Sequence, residues 1–330
     1  MLDGHRPNSS RKEVGGKLQY SDQAPSAVIS EDGWHKPGMM SHLSPAGSIL
    51  MPFWPKGLQV KSISGDFSVH QAQATENPSE IGAVDVVLCC VKAWQVSGAA
   101  EAIRPLIATH TVVIPLQNGV EAHTTLAAKL GDQHVLPGLC RLISMIEAPG
   151  FIRHAGAAPY IAFDEMDGSL SLRVQEIAGK LDAAKGMRVE ASRHILADIW
   201  KKFMLIAPWG GVGAVTRSPI GILRKVPETR DILLAAIGEV FKVGKANGVE
   251  IKNEALASTI SFIDKLPPDG TASMQRDIME GRPSELSWQT GAVVRFGSQG
   301  GVSTPTNKFI YHSLLPLERI ARGEISSTSP

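Results

Sequence analysis

The sequence predicts an α/β domain built on a doubly wound parallel sheet, followed by an all-α domain. Two nearly uninterrupted apolar runs, Val84–Val91 and Thr111–Leu116, alternate with segments of helical spacing at Gln95–Ile107 and Glu121–Leu130. Strands covered on both faces read as such runs, and βαβα alternation is the pattern of a parallel sheet with helices on both sides. Beyond about Ser192 the strand runs stop, and long helical segments take over.

The elements follow in order. Residues 1–50 are rich in Ser, Gly, Pro and His, with no β-branched strand and no sustained period, so they predict an irregular segment. Leu58–Ile63 alternates as a strand does, Ser64-Gly65-Asp66 is a turn signal, and Phe67–Val69 returns as a hairpin. A short helical segment follows Pro78, and then come the two apolar runs with their helices. Phe151–His154 and Pro159–Phe163 read as a second hairpin, and Leu170–Ala184 as a helix. The helical half is predicted over His194–Ile206, Glu228–Asn247, Lys252–Lys265, Ser284–Gln299 and Asn307–Ile320, with Gly248 as a helix stop. The division is residues 1–50 irregular, 51–190 α/β and 191–330 helical.

Composition bounds the function. The 330 residues are 43% hydrophobic and 20% charged, which is globular composition. A formal net charge of +1 gives no electrostatic ground for nucleic acid or an anionic membrane as partner. Cys89, Cys90 and Cys140 have neither C-x-x-C nor zinc spacing and read as reduced thiols. The ten histidines, His154 among them, show no metal-binding spacing. The N-terminus lacks an apolar secretory core, and Met204–Val215 is too short to span a bilayer, so a cytoplasmic protein is expected.

Ligands of doubly wound sheets lie beyond the carboxyl ends of the strands. Lys92 and Asn118 occupy those ends directly after the two runs, although a surface lysine and an Asn-Gly turn would account for them equally. Lys202, in Trp200-Lys201-Lys202-Phe203, is a candidate proton donor for carbonyl reduction, against the plainer view of a solvated lysine pair. Glu285 follows Ser284 in what reads as the first helical turn, where an acid complements the helix dipole. Ser273 reads equally well as a simple cap. Gly211-Val212-Gly213 follows a helix rather than a strand, so close helix packing explains it better than a dinucleotide loop.

Taken together, Val91-Lys92-Ala93-Trp94-Gln95, Gln117-Asn118-Gly119-Val120, Trp200-Lys201-Lys202-Phe203 and the stretch Ser273–Asn307 resemble the ketopantoate reductases (2-dehydropantoate 2-reductases) in order and separation, over about residues 57–320. The resemblance implies a Rossmann-like N-terminal domain that binds NADPH, with 2-dehydropantoate in the cleft against the helical domain, where hydride reaches its C2 carbonyl and gives (R)-pantoate. It implies Lys202 as the general acid. It implies cofactor contacts from Lys92, Asn118, Ser144 and Glu285, and substrate contacts from Lys202, Gly270, Ser273 and Glu285. A homodimer is compatible with it.

Two departures stand out. Residues 1–50 hold no glycine-rich turn of the kind that seats a pyrophosphate on a helix N-terminus, so the first βαβ unit reads as degenerate. Where some members of the family carry asparagines after the lysine, this chain has Ile206, Gly210 and Ile220. Reduction of a different, more apolar 2-oxo acid, or a non-catalytic remnant of the enzyme, are the alternative functions.

Overall fold

The computed structural model describes residues 26–30, 58–69, 75, 77–148, 150–183 and 186–326. Among the described residues the first half carries eight strands. They are β1 (Ser26–Ser30), β2 (Leu58–Ser62), β3 (Phe67–Val69), β4 (Val86–Cys90), β5 (Val112–Pro115), β6 (Gly138–Ala148), β7 (Phe151–Phe163) and β8 (Arg188–Ala191). Three helices accompany them: α1 (Val96–Ile103), α2 (Ala122–Leu130) and α3 (Leu172–Asp182).

Strands β1, β4 and β5 form a parallel sheet in that order, and a parallel bridge from Val113 to Val135 extends it. The apolar runs are explained by burial on both faces. Val87, Cys89 and Val113 pack under α1 and α2, while Val86, Leu88, Val112 and Ile114 pack against Phe163 and α3. A second sheet, in the order β3-β2-β7-β6 with β8 on β7, holds the predicted hairpin of residues 58–69 as antiparallel β2 and β3.

Three expectations are corrected. Residues 1–50 are not without a strand, because Ser26–Ser30 pairs in register with Val86–Cys90. Its five residues, SAVIS, are too few to show a period, and a neighbouring strand supplies the stabilising ladder. The remainder of 1–50, including any phosphate-binding turn, lies outside the described residues. Residues 151–163 form one long strand rather than a hairpin, paired antiparallel with β6. The regular helix expected from Ser284 begins at Thr290, preceded by turns over residues 286–289.

The helical half comprises α4 (Ile195–Thr216), α5 (Ile220–Lys225), α6 (Pro227–Ala246), α7 (Glu254–Lys265), α8 (Ser273–Met279), α9 (Thr290–Gln299) and α10 (Pro305–Ala321). Its axis is α4, which runs on past the predicted end at Ile206, through Pro208. Glycines keep that second half of α4 close to its neighbours. A Cβ on Gly210 would lie 2.9 Å from Met274 Cε, and one on Gly211 would lie 2.8 Å from Ile310 Cγ2. This is the close packing expected of Gly211-Val212-Gly213 rather than a nucleotide loop. Buried Glu239 of α6 accepts hydrogen bonds from the Thr306 and Asn307 backbone N–H groups and so caps α10. Asn307, the end of the stretch that carried the family resemblance, is therefore structural. Among the described residues no helix is long and apolar enough to cross a membrane, and no cluster of side chains could hold a metal ion.

Candidate active site

The site is assembled where β4 and β5 end and the turn before α9 reaches across to them. Lys92 takes an extended conformation after β4 and opens a single helical turn, Ala93–Gln95. Asn118 follows β5 and precedes Gly119, whose φ of +100° suits glycine. A Cβ on Gly119 would also come within 3.0 Å of the Trp288 carbonyl oxygen, so the glycine lets the two halves of the molecule meet.

Glu285 is 4% exposed and ties these parts together. One carboxylate oxygen accepts the Ala93 backbone N–H at 3.2 Å. The other accepts Asn118 Nδ2 at 3.3 Å and Gln289 Nε2 at 3.1 Å. The dipole explanation of Glu285 loses its ground, because regular helix starts five residues later; the carboxylate instead serves donors in both halves. Lys92 Nζ reaches the helical half as well and pairs with Asp277 at 3.2 Å.

Lys202 projects from α4 toward the same junction. Burial of its ammonium lowers its pKa, opposed by Cys140 and the Glu285 carboxylate and reinforced by the Arg141 guanidinium. It makes no hydrogen bond or ion pair with another described residue. Its neighbour Lys201 pairs with Asp198 at 2.8 Å on the more solvated side. The lysine pair is therefore divided between one structural and one available ammonium.

Along α4, Lys202, Ile206 and Gly210 recur at four-residue spacing, which places them on one face about 6 Å apart. Ala272 and Met274 close on that face at Gly210. Ser273 lies between them as the first residue of α8. Ala272, not Ser273, takes the cap position, and the Ser273 hydroxyl has no hydrogen bond to a described residue. Gly270 belongs to the preceding turn, where its carbonyl accepts the Ile220 N–H at 3.0 Å and its Cα faces Trp209.

The structure thus joins Asn118 and Glu285 by a hydrogen bond, sets Lys92 beside them through the neighbouring Ala93 N–H and its own ion pair with Asp277, leaves Lys202 in electrostatic reach of Glu285, and sets Ser273 and Gly270 farther along α4. Ser144 stands apart from them, exposed on the outer part of β6 opposite His154. Sequence reasoning missed Asp277, Cys140 and Arg141. Asp277 lies 185 residues from the lysine it pairs with, and no periodicity links them. Arg141 shares a strand face with Leu139 toward α4 and rests over the Tyr160 ring at 5.3 Å; it forms no ion pair with a described residue.

Beyond the strand ends lies a cavity of about 80 Å³ lined by Ala93, Trp94, Asn118, Val120 and Trp288, among others. Two indoles, a carboxamide and small apolar groups suit a flat heterocycle bearing an amide. These residues fit the ring end of a nicotinamide nucleotide.

Known proteins resemble this chain over most of its length. Residues 52–168 match the model of the ketopantoate reductase PanE/ApbA family, and residues 194–318 match the model of that family's C-terminal domain. The 2-dehydropantoate 2-reductase of Nostoc sp. is 27% identical over 78% of this chain and 82% of its own length. An uncharacterized oxidoreductase of Bacillus subtilis is 26% identical over 78% of this chain and 84% of its own. Among solved structures, a ketopantoate reductase from Ralstonia eutropha superposes with a TM-score of 0.73 at 27% identity, covering 81% of this chain and 86% of that one. The 2-dehydropantoate 2-reductase of Geobacter metallireducens gives 0.73 at 26% identity, covering 81% and 90%.

Proposed function

As a member of the ketopantoate reductase family, this chain is an oxidoreductase of a pyridine-nucleotide-dependent class, and we propose that it reduces the 2-oxo group of 2-dehydropantoate to (R)-pantoate with NADPH. The observation that carries the proposal is Lys202, an ammonium of lowered pKa with no ion pair to a described residue, in electrostatic reach of the carboxylate that joins the two halves. When bound, the nucleotide would supply the hydride for the carbonyl carbon. Lys92, Asn118 and Glu285 would hold it at the strand ends, with Trp94 and Trp288 beside its ring.

The chain's own part is acid chemistry. As the carbonyl oxygen gains charge, the Lys202 ammonium donates a proton to it. A lowered pKa makes that donation easier, provided the group is still protonated at the working pH. Arg141 supplies the charge complement for the substrate carboxylate. It faces α4 without a carboxylate partner among the described residues and lies close enough to depress Lys202. Arg141→Ala is expected to raise KM for the oxo acid about tenfold to a hundredfold while leaving kcat within a few-fold, as loss of a charge-assisted hydrogen bond would. Steady-state kinetics at saturating nucleotide checks this, and an unchanged KM excludes Arg141 from binding.

A second substrate reading has its own support. Beyond Lys202, α4 carries Ile206 and Gly210, on which Ala272 and Met274 close with Ser273 between them, and Ile220 lies against Gly270. Such a surface suits a 2-oxo acid with a bulky apolar side chain better than a hydroxylated one. The presence of β1 weakens the argument for a non-catalytic remnant, since the strand beside β4 is in place.

The test is titration of the purified chain with NADPH and NADH, followed by nucleotide oxidation in the presence of 2-dehydropantoate and of an aryl-substituted 2-oxo acid. Turnover of 2-dehydropantoate supports the first reading, and turnover of the aryl acid alone supports the second. Failure of both nucleotides to bind at millimolar concentration defeats both.

A further inference from the structure

The C-terminal end of α10 makes a contact that the reaction chemistry does not require. Arg322 follows the last turn of the helix with its guanidinium 4.7 Å from the Trp94 ring centroid and 5.8 Å from that of Trp288. The two indoles lie 6.2 Å apart. Trp94 belongs to the α/β half and directly follows Ala93, whose N–H binds Glu285. Trp288 belongs to the turn that carries Glu285. Both rings line the cavity beyond the strand ends.

The guanidinium is itself fixed. Its Nε donates to Glu318 Oε1 at 2.6 Å, and its Nη2 donates to the Ser284 carbonyl at 2.8 Å. Glu318 is 2% exposed, and its carboxylate accepts the Ser284 N–H at 3.1 Å as well as the Ser284 hydroxyl. Ser284 immediately precedes Glu285. The Glu318–Ser284–Arg322 network is complete within the helical half, so stability of that half does not need Trp94. Of the contacts that Arg322 makes with described residues, the one to Trp94 crosses the junction.

We propose that Arg322 is a positioning residue: anchored on Glu318 and Ser284, it stacks against Trp94 and Trp288 and clasps the Glu285 turn to the strand ends where the nucleotide binds. The proposal rests on the reading of that cavity as the nucleotide site. A planar guanidinium suits the role, because it can donate in its plane to two acceptors while its faces meet aromatic rings. Lysine offers the charge without the plane.

Amide hydrogen exchange on the whole, unliganded chain tests the clasp without reference to catalysis. Arg322→Ala is expected to speed exchange over Ala93–Val96 at least tenfold relative to β4 and β5. Arg322→Lys should speed it to a smaller degree, and it serves if the alanine variant fails to fold. Unaltered exchange over Ala93–Val96 overturns the proposal. With NADPH as probe, Arg322→Ala and Trp94→Leu should each weaken binding about tenfold, the scale of a desolvated cation–π contact. The double variant should be little worse than either single one, whereas losses that multiply would mean that the two residues act separately and would overturn the clasp. A wild-type chain that binds no nucleotide defeats the proposed function instead, and the exchange measurement then decides the clasp by itself.

Discussion

Lys202→Met is expected to lose turnover by about 10²–10⁴-fold, the scale of a missing general acid, while nucleotide affinity stays within a few-fold. The same variant should be more stable than the wild type by about 1–3 kcal/mol, because it removes a desolvated charge that has no ion pair among the described residues. The two effects have one cause. Burial lowers the Lys202 pKa from the ordinary 10.5. Between the folded value and 10.5 the unfolded chain binds more protons than the folded one, so stability rises with pH across that window. Below the folded value the whole cost of the buried ammonium is present, and neutral buffers lie on that side if Lys202 is to act as an acid. Methionine keeps the length of the side chain and drops the charge. Thermal melts at neutral pH and at pH near 10 should therefore diverge between wild type and variant at the lower pH and converge at the higher.

The pH profile gives an independent check of the same residue. In the direction of reduction, kcat/KM should fall on the alkaline side with an apparent pKa below 10.5, where the ammonium is lost. A rate that holds up to pH 10.5, or a variant as active as the wild type, removes Lys202 from the role of acid.

Glu285→Ala has the second largest expected effect. It strands three donors, the Ala93 N–H, Asn118 Nδ2 and Gln289 Nε2, at a buried junction. Unsatisfied buried donors cost about 1–3 kcal/mol each. Two of the three lie in the opposite half of the molecule, so the loss falls on the closure of the site as well as on the stability of the turn. We expect kcat/KM to fall about a hundredfold, with a smaller loss in Glu285→Gln, whose amide oxygen can still accept one bond. A variant that loses thermal stability yet keeps kcat/KM would reduce Glu285 to a packing role. The expected order, alanine worse than glutamine, is read from initial rates over a range of nucleotide concentrations.

Much of the fold was legible because burial leaves its mark on local sequence. Val86–Cys90 and Val112–Pro115 are covered on both faces, so every position is apolar and the run is unbroken. The helical half was legible for the same reason, through periodic contact with a core. Where local signals conflicted with tertiary packing, they misled. The helix predicted to end at Ile206 runs on through Pro208 to Thr216, and Gly210 and Gly211 there admit Met274 and Ile310. Ser26–Ser30 was missed because five residues carry too little pattern to stand out from the surrounding Ser, Gly and Pro.

Of the candidate site, Lys92, Asn118, Lys202, Ser273 and Glu285 could each be named from motifs, but each also had a plain structural explanation. What separated the explanations was the set of partners, and those are long-range. Glu285 meets Ala93 and Asn118 across 192 and 167 residues of chain, Lys92 meets Asp277 across 185, and Arg322 reaches back to Trp94. The sequence by itself determined the two-part architecture, the strand ends and the side chains available for a reductase, because periodic burial and short motifs are local properties of the chain. Only the tertiary structure decided that one lysine of a pair has a desolvated ammonium with no ion pair to a described residue, that Glu285 serves the opposite half as well as its own turn, and that Arg322 rests on two indoles. Ion pairs, hydrogen bonds and desolvation are fixed by how distant segments dock, and that docking leaves no period in the sequence.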